Sequence, residues 1–258
     1  MRRFRPSVFL LLGGLSLASC SAPGVRGHVG YGLYTLDGNL GVSSDATSPQ
    51  SVDLRDDLGL NGFSDSLQVR AELDAGPVRL TGSAFRFHSS GDGTLTADFG
   101  DVVVGGPTLS RPVSSNIDVM NAKIALTADV VDLGMIRVSP GIALDIIDVD
   151  GRVSDFGTSL SESFGETLPI PMPFVQAEAS FFGFDLVAEI GGIAADFDEF
   201  DGSLIDFETF LTYEPIDSVE LYVGYRLIHL EGDGVVDSQA YDSDLRLQGV
   251  FFGAGFEL

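Results

Sequence analysis

Thirty-eight acidic side chains against 14 basic ones in 258 residues give a formal charge of −24. That excludes a nucleic-acid binder, because no basic surface exists to neutralise phosphates. Hydrophobic residues, at 44%, are too many for a disordered chain, and the single cysteine, Cys20, excludes an internal disulfide.

In chain order, Arg2, Arg3 and Arg5 precede an apolar run from Val8 to Leu17 that is too short for a stable transmembrane helix. Residues 1–19 are therefore expected to be a targeting segment. Its end, Leu17-Ala18-Ser19-Cys20, resembles the bacterial lipobox. That resemblance implies acylation of Cys20 and a new N-terminus there. Residues 20–27 are expected to be a short periplasmic linker and residues 28–258 one barrel. No later stretch is apolar enough for a membrane helix.

From His28 the chain alternates. Val29, Tyr31 and Leu33 share a side, and Asp37 to Asp65 reads as a polar excursion with Leu54 and Leu58 on one side of a possible helical turn. Leu67, Val69, Ala71 and Leu73 then oppose Gln68, Arg70, Glu72 and Asp74, and after a turn Val78, Leu80, Gly82 and Ala84 oppose Arg79, Thr81, Ser83 and Phe85. A second excursion, Ser89 to Asn116, leads to Ala122, Ile124 and Leu126 opposite Lys123. Next come Ile136, Val138, Ile142, Leu144 and Ile146 opposite Arg137 and Asp145. Pro140 cannot donate to a ladder, so a bulge or break is expected there. After a third excursion, Asp148 to Pro169, Val175, Ala177, Ala179 and Phe181 oppose Glu178. Phe184, Leu186, Ala188 and Ile190 oppose Asp185 and Glu189, and Ile205, Phe207, Thr209, Leu211 and Tyr213 oppose Asp206 and Glu208. The last hairpin sets Val219, Leu221, Val223, Tyr225 and Leu227 against Glu220 and Arg226, turns near Glu231-Gly232-Asp233-Gly234, and returns with Val250, Phe252, Ala254, Phe256 and Leu258 on one face.

The count is about ten strands, eight being the alternative, joined by alternately short turns and long polar loops. This predicts an all-β, antiparallel, up-and-down transmembrane barrel with both termini on the periplasmic side. The chain resembles the small bacterial outer-membrane barrels of the OmpA/OmpW type, through its long acidic loops and Gly224-Tyr225-Arg226. The end of the chain, with Phe252 and Phe256 before Leu258, resembles their C-terminal assembly signal, which usually finishes in Phe. The resemblance implies outer-membrane lipids, lipopolysaccharide and the barrel-assembly machinery as partners, and no cofactor. The rival architecture is a soluble periplasmic sandwich or lipocalin-like barrel, which buries its apolar face; the uncharged apolar faces favour the membrane form.

On the inner face, Arg70, Arg79, Lys123, Arg137 and Arg226 meet Glu72, Asp145, Glu178, Asp185, Glu189, Asp206, Glu208 and Glu220. The expectation is an ion-pair network filling the lumen, with Arg226 among Glu208, Glu220 and Glu257. The alternative is a narrow cation-preferring path. A hydrolase would need a base, an orienting carboxylate and a nucleophile together. His28 is expected at the periplasmic end, and His88 and His229 near outer strand ends on the lipid side, too far apart to meet. The carboxylates Asp196, Asp198, Glu199 and Asp201, and the pair Asp148 and Asp150, offer oxygens to divalent cations without a calcium-loop pattern. Ser90-Gly91-Asp92-Gly93 and Glu231-Gly232-Asp233-Gly234 read as turns. The expected role is non-enzymatic, structural or surface-related, with no metal centre.

Overall fold

The computed structural model describes residues 24–43, 49–104, 109–197, 200–236 and 239–257. Cys20 with the targeting segment, Asp198, Glu199 and Leu258 lie outside the described residues. Period-two alternation makes twelve strands: β1 (Gly24–Ser43), β2 (Ser51–Asp53), β3 (Ser64–Ala75), β4 (Val78–Leu95), β5 (Arg111–Ala128), β6 (Val131–Asp132), β7 (Ile136–Asp155), β8 (Ser161–Phe181), β9 (Phe184–Phe197), β10 (Phe200–Ile216), β11 (Val219–Val236) and β12 (Gln239–Glu257). Ten are long, and β2 and β6 are short additions beside β1 and β7. Each long strand pairs antiparallel with its neighbour, and β12 returns to β1 from Arg26↔Glu257 to Ser43↔Ala240. The sheet is thereby a closed barrel, and no described helix is long and apolar enough to cross a membrane.

The strands begin and end farther out than alternation alone indicates. β1 starts at Gly24, inside the stretch read as linker. The third excursion shrinks to a tight connection between β7 and β8, because residues 148–155 and 161–169 continue the ladder as far as Ser154↔Ser161. Glu231-Gly232-Asp233-Gly234 is not a turn but β11 itself, paired with β12. Ser90-Gly91-Asp92-Gly93 is likewise strand, in β4. Its glycines serve close approach: a Cβ on Gly91 would stand 2.0 Å from the Gly59 carbonyl oxygen. The segment carrying Leu54, Leu58 and Leu60 can therefore lie flush on β4.

Pro140 sits at an irregularity. β7 pairs with β5 as far as Thr127↔Gly141 and with β6 from Val131↔Val138, so Ala128, Asp129 and Val130 oppose only Ser139 and Pro140. The missing N–H of Pro140 falls where the ladder is already interrupted. At Phe182-Gly183 both residues take positive φ (52° and 81°), as a two-residue hairpin turn requires.

The outer wall carries the apolar faces read from the sequence. Leu67, Ile142 and Val223 are 63%, 66% and 55% exposed, and Val69, Ile124, Leu126, Ile190, Leu221, Phe252 and Phe256 are exposed with them. A soluble barrel has no reason to face such a belt outward; a lipid-embedded one requires it. Inside, the contents change with height. Toward the short turns and both termini the lumen is charged. Toward the long hairpins it is apolar, a continuous core of Leu36, Leu40, Phe87, Val113, Ile117, Val149, Val153, Leu230 and Leu247 with Leu54, Leu58 and Phe99 folded over it.

Candidate functional site in the lumen

The charged lumen has two levels. At the terminal end is a vestibule of about 600 Å³ lined by Arg26, Glu72, Asp74, Asp129, Arg137 and Glu257. Arg79 lies within 3.1 Å of Glu72 and Asp74 and 3.2 Å of Glu178. Arg137 is 3.6 Å from Glu178 and from Asp129. Arg26 reaches Glu257 at 3.4 Å and Glu220 at 3.9 Å.

One level deeper, Arg70, Lys123 and Arg226 fill the cross-section. Arg70 pairs with Glu189 through a short charged hydrogen bond and with Glu208 at 3.5 Å. Lys123 bridges Asp206 at 3.0 Å and Glu189 at 3.3 Å. Arg226 grips Asp206 with Nη2 at 2.8 Å and Nε at 3.2 Å, a bidentate fork, and lies 3.4 Å from Glu208. These groups come from five strands (β3, β5, β9, β10 and β11), so they tie the wall together across its diameter. Arg226, Lys123 and Asp206 are only 1%, 2% and 0% exposed. The ring faces of Phe210, Phe174 and Phe85 cover Arg70, Lys123 and Arg226 at 4.9, 5.3 and 4.9 Å. The space beneath this layer, around His28, Glu178, Asp185 and Glu220, measures about 10 Å³, room for one water at most.

Strand geometry sorts the sequence-derived residues between the levels. Arg226 meets Asp206 and Glu208, but not Glu220 or Glu257 as anticipated. Six residues along β11 separate Glu220 from Arg226, roughly 20 Å of extended chain. Glu220 instead takes His28 Nε2 at 2.5 Å and Glu257 takes Arg26. Asp145 joins no ion pair among the described residues; it accepts from Asn121 Nδ2, whose Oδ1 in turn accepts from Arg226 at 2.9 Å. Asp185 lines the small space near Glu178 and likewise forms no ion pair among the described residues.

Alternation alone did not single out Asn121, Arg26 or the three covering aromatics. Asn121 shares the inward parity of Lys123, and that was the available signal. The lumen's glycines are spaces for rings: a Cβ on Gly30 would stand 2.0 Å from Tyr222 Oη.

The histidines stay apart. His28 is inward and buried, four residues into β1, with its ring edge-on to Tyr222. His88 lies on the outside, 3.2 Å from Asp118. His229 is outside as well, 2.9 Å from Asp244 and 3.5 Å from Glu231. That last trio is close enough to share a cation, but it is surface-exposed. Asp196 and Asp201 fall opposite one another in the β9–β10 ladder, and Asp148 accepts from Thr167 at 3.0 Å.

No protein-family model and no curated protein matches the chain. Among solved structures it is similar to the outer membrane protease OmpT from Escherichia coli, with a TM-score of 0.60 at 6% identity, covering 91% of this chain and 96% of that one. The fold is that of an outer-membrane β-barrel. At that identity the likeness carries architecture alone. The translocator domain of the autotransporter NalP from Neisseria meningitidis (TM-score 0.43, 12% identity, 91% and 87% covered) and Neisserial surface protein A (0.35, 11%, 92% and 97%) also match.

Proposed function

We propose that this protein is a non-enzymatic integral outer-membrane barrel with a sealed lumen and a structural or surface role, held additionally by an acyl group on Cys20. The observation that carries the reading is the layer of Arg70, Lys123 and Arg226 with Glu189, Asp206 and Glu208, which spans the bore and is almost entirely shielded from water. A conducting path needs a file of exchangeable waters; here each cation is held by at least two carboxylates and covered by an aromatic ring. Against a hydrolase stands the placement of His88 and His229 on the outer wall, each paired with carboxylates and remote from the other.

Liposome swelling tests the reading. Vesicles carrying the refolded protein should swell in small sugars and amino acids no faster than empty ones. Uptake that scales with protein content would overturn it.

A further inference from the structure

The barrel is closed in its lower part, but its wall is interrupted higher up. β8 and β9 pair only between Phe174↔Gly191 and Phe181↔Phe184. Beyond that point residues 161–173 of β8 pair with β7 alone, and residues 192–197 of β9 pair with β10 alone. The sequence encodes the separation. Ser180 N–H donates to Met135 O on the β7 side, so even positions of β8 aim toward β7 and odd ones toward β9. The odd positions immediately past the last pair are Pro169, Pro171 and Pro173. Three successive donors are missing from the edge that β9 would have to join. An open edge in hydrocarbon is costly because its N–H and C=O groups go unsatisfied, and the prolines remove the donors from the β8 side.

A second interruption, between β1 and β4 above the end of β3, is filled by the segment with Leu54, Leu58 and Leu60. Among the described residues nothing fills the one at β8. Behind it lies an apolar cavity of about 230 Å³ lined by Leu168, Ile170, Ile193, Leu204 and Leu230. Leu168 and Leu230 also line a second cavity of about 130 Å³, which runs inward to Leu40, Val149 and Phe164. Together they exceed the lower size of small-ligand sites, ~300 Å³. The charged layer forms the floor.

The gap opens in the apolar belt. Pro173 and Pro171 stand opposite Ile142 and Leu144 of β7, and Ile190 flanks the other side, all three exposed to lipid. What reaches this entrance is therefore bilayer hydrocarbon. Glu166, Glu231 and Asp233 line the upper parts of the two cavities, where they repel an anionic head. We infer that the β8–β9 gap admits one acyl chain of an outer-leaflet lipid, tail first, into the apolar upper lumen, with its head remaining at the membrane surface.

The chain has no tryptophan, so single reporters are clean. F164W stands at the upper end of the path, F87W in the closed part of the same core, and F252W on the lipid face. Each is reconstituted in vesicles of dioleoyl phosphatidylcholine or of its dibrominated-stearoyl analogue. Bromine should quench F164W to nearly the degree of F252W while F87W stays bright. Adding P169T/P171T/P173T, which restores the missing donors, or L168D, which places a charge in the path, should return F164W to the level of F87W. Retention of the heat-sensitive gel band checks folding of each variant. Equal protection of F164W and F87W in brominated bilayers overturns the proposal. Quenching of F164W by a micellar dibrominated fatty acid but not by the bilayer lipid overturns the bilayer source.

Discussion

Arg226 is the residue on which the sealed layer turns. It hydrogen-bonds Asp206 through its fork and Asn121 through Nη2, and adds an ion pair with Glu208 at 3.4 Å. Removing one partner of a buried pair leaves the other charge stranded, at a cost of roughly 3–5 kcal/mol. Arg226→Leu should therefore lower the temperature at which the folded band is lost on unboiled gels and make any residual leak more cation-selective; an unchanged temperature would remove Arg226 from the central role. Asp145 is the opposite case, since one of its oxygens has no partner and no cation touches it. Asp145→Asn should leave the melting temperature equal or higher, whereas Asp206→Asn should lower it by an amount reflecting roughly 1–3 kcal/mol of lost charged hydrogen bonding.

Asp155, above the membrane at the end of β7, accepts the Gly157 N–H at 2.6 Å and pairs with Arg111. The backbone N–H, then the guanidinium, hold its carboxyl below the usual range. A depressed folded pKa contributes stability above the unfolded value, ~3.9, that is lost as pH falls through the lower folded value. The Gly157 amide resonance should shift in acid below that ordinary value, and Asp155→Asn should abolish the transition; a midpoint at or above it would contradict the assignment.

At the scale of elements, each strand keeps its parity while its apolar side changes with height. On β7, Ile142, Leu144 and Ile146 face out and Asp145 faces in; one turn of the pattern higher, Ile147 and Val149 face in and Asp148 and Asp150 face out. β11 does the same, from Leu221 and Val223 outside to Ile228 and Leu230 inside. The lower barrel is built as a membrane barrel and the upper one as a soluble barrel is. Alternation therefore located the ten belt strands and most of their inward charges, Arg26 excepted, but faded at each crossover, where apolar residues such as Ile146 and Ile147 stand side by side. Polar and glycine-rich segments beyond it read as loops, although Gly232 and Gly234 sit in ladders that neighbouring strands impose. The prolines of β8 were visible as letters; their common parity acquires meaning only once the direction of Ser180 N–H is known. The segment bearing Leu54 and Leu58 stands in for the missing wall above β3, with Asp53 Oδ1 capping its turn through the N–H groups of Arg55 and Asp56 at 2.8 and 2.7 Å. A Leu54→Ala/Leu58→Ala pair should open this segment to protease added outside vesicles, with the lower barrel still heat-modifiable.

For the molecule as a whole, belt, closed lower ladder and charged layer make a lipid-embedded cylinder with buried ion pairs across its bore at the level of Arg70, Lys123 and Arg226. The 38 acidic residues outnumber the 14 basic ones, and that excess repels anionic solutes. The folded protein should migrate differently before and after boiling, and extraction from membranes by high salt alone would contradict an integral barrel. The most direct measurement is planar-bilayer conductance of the refolded wild-type protein. A sealed lumen predicts no steady channel, with at most small, cation-preferring flicker; a large, stable, anion-selective conductance would contradict it.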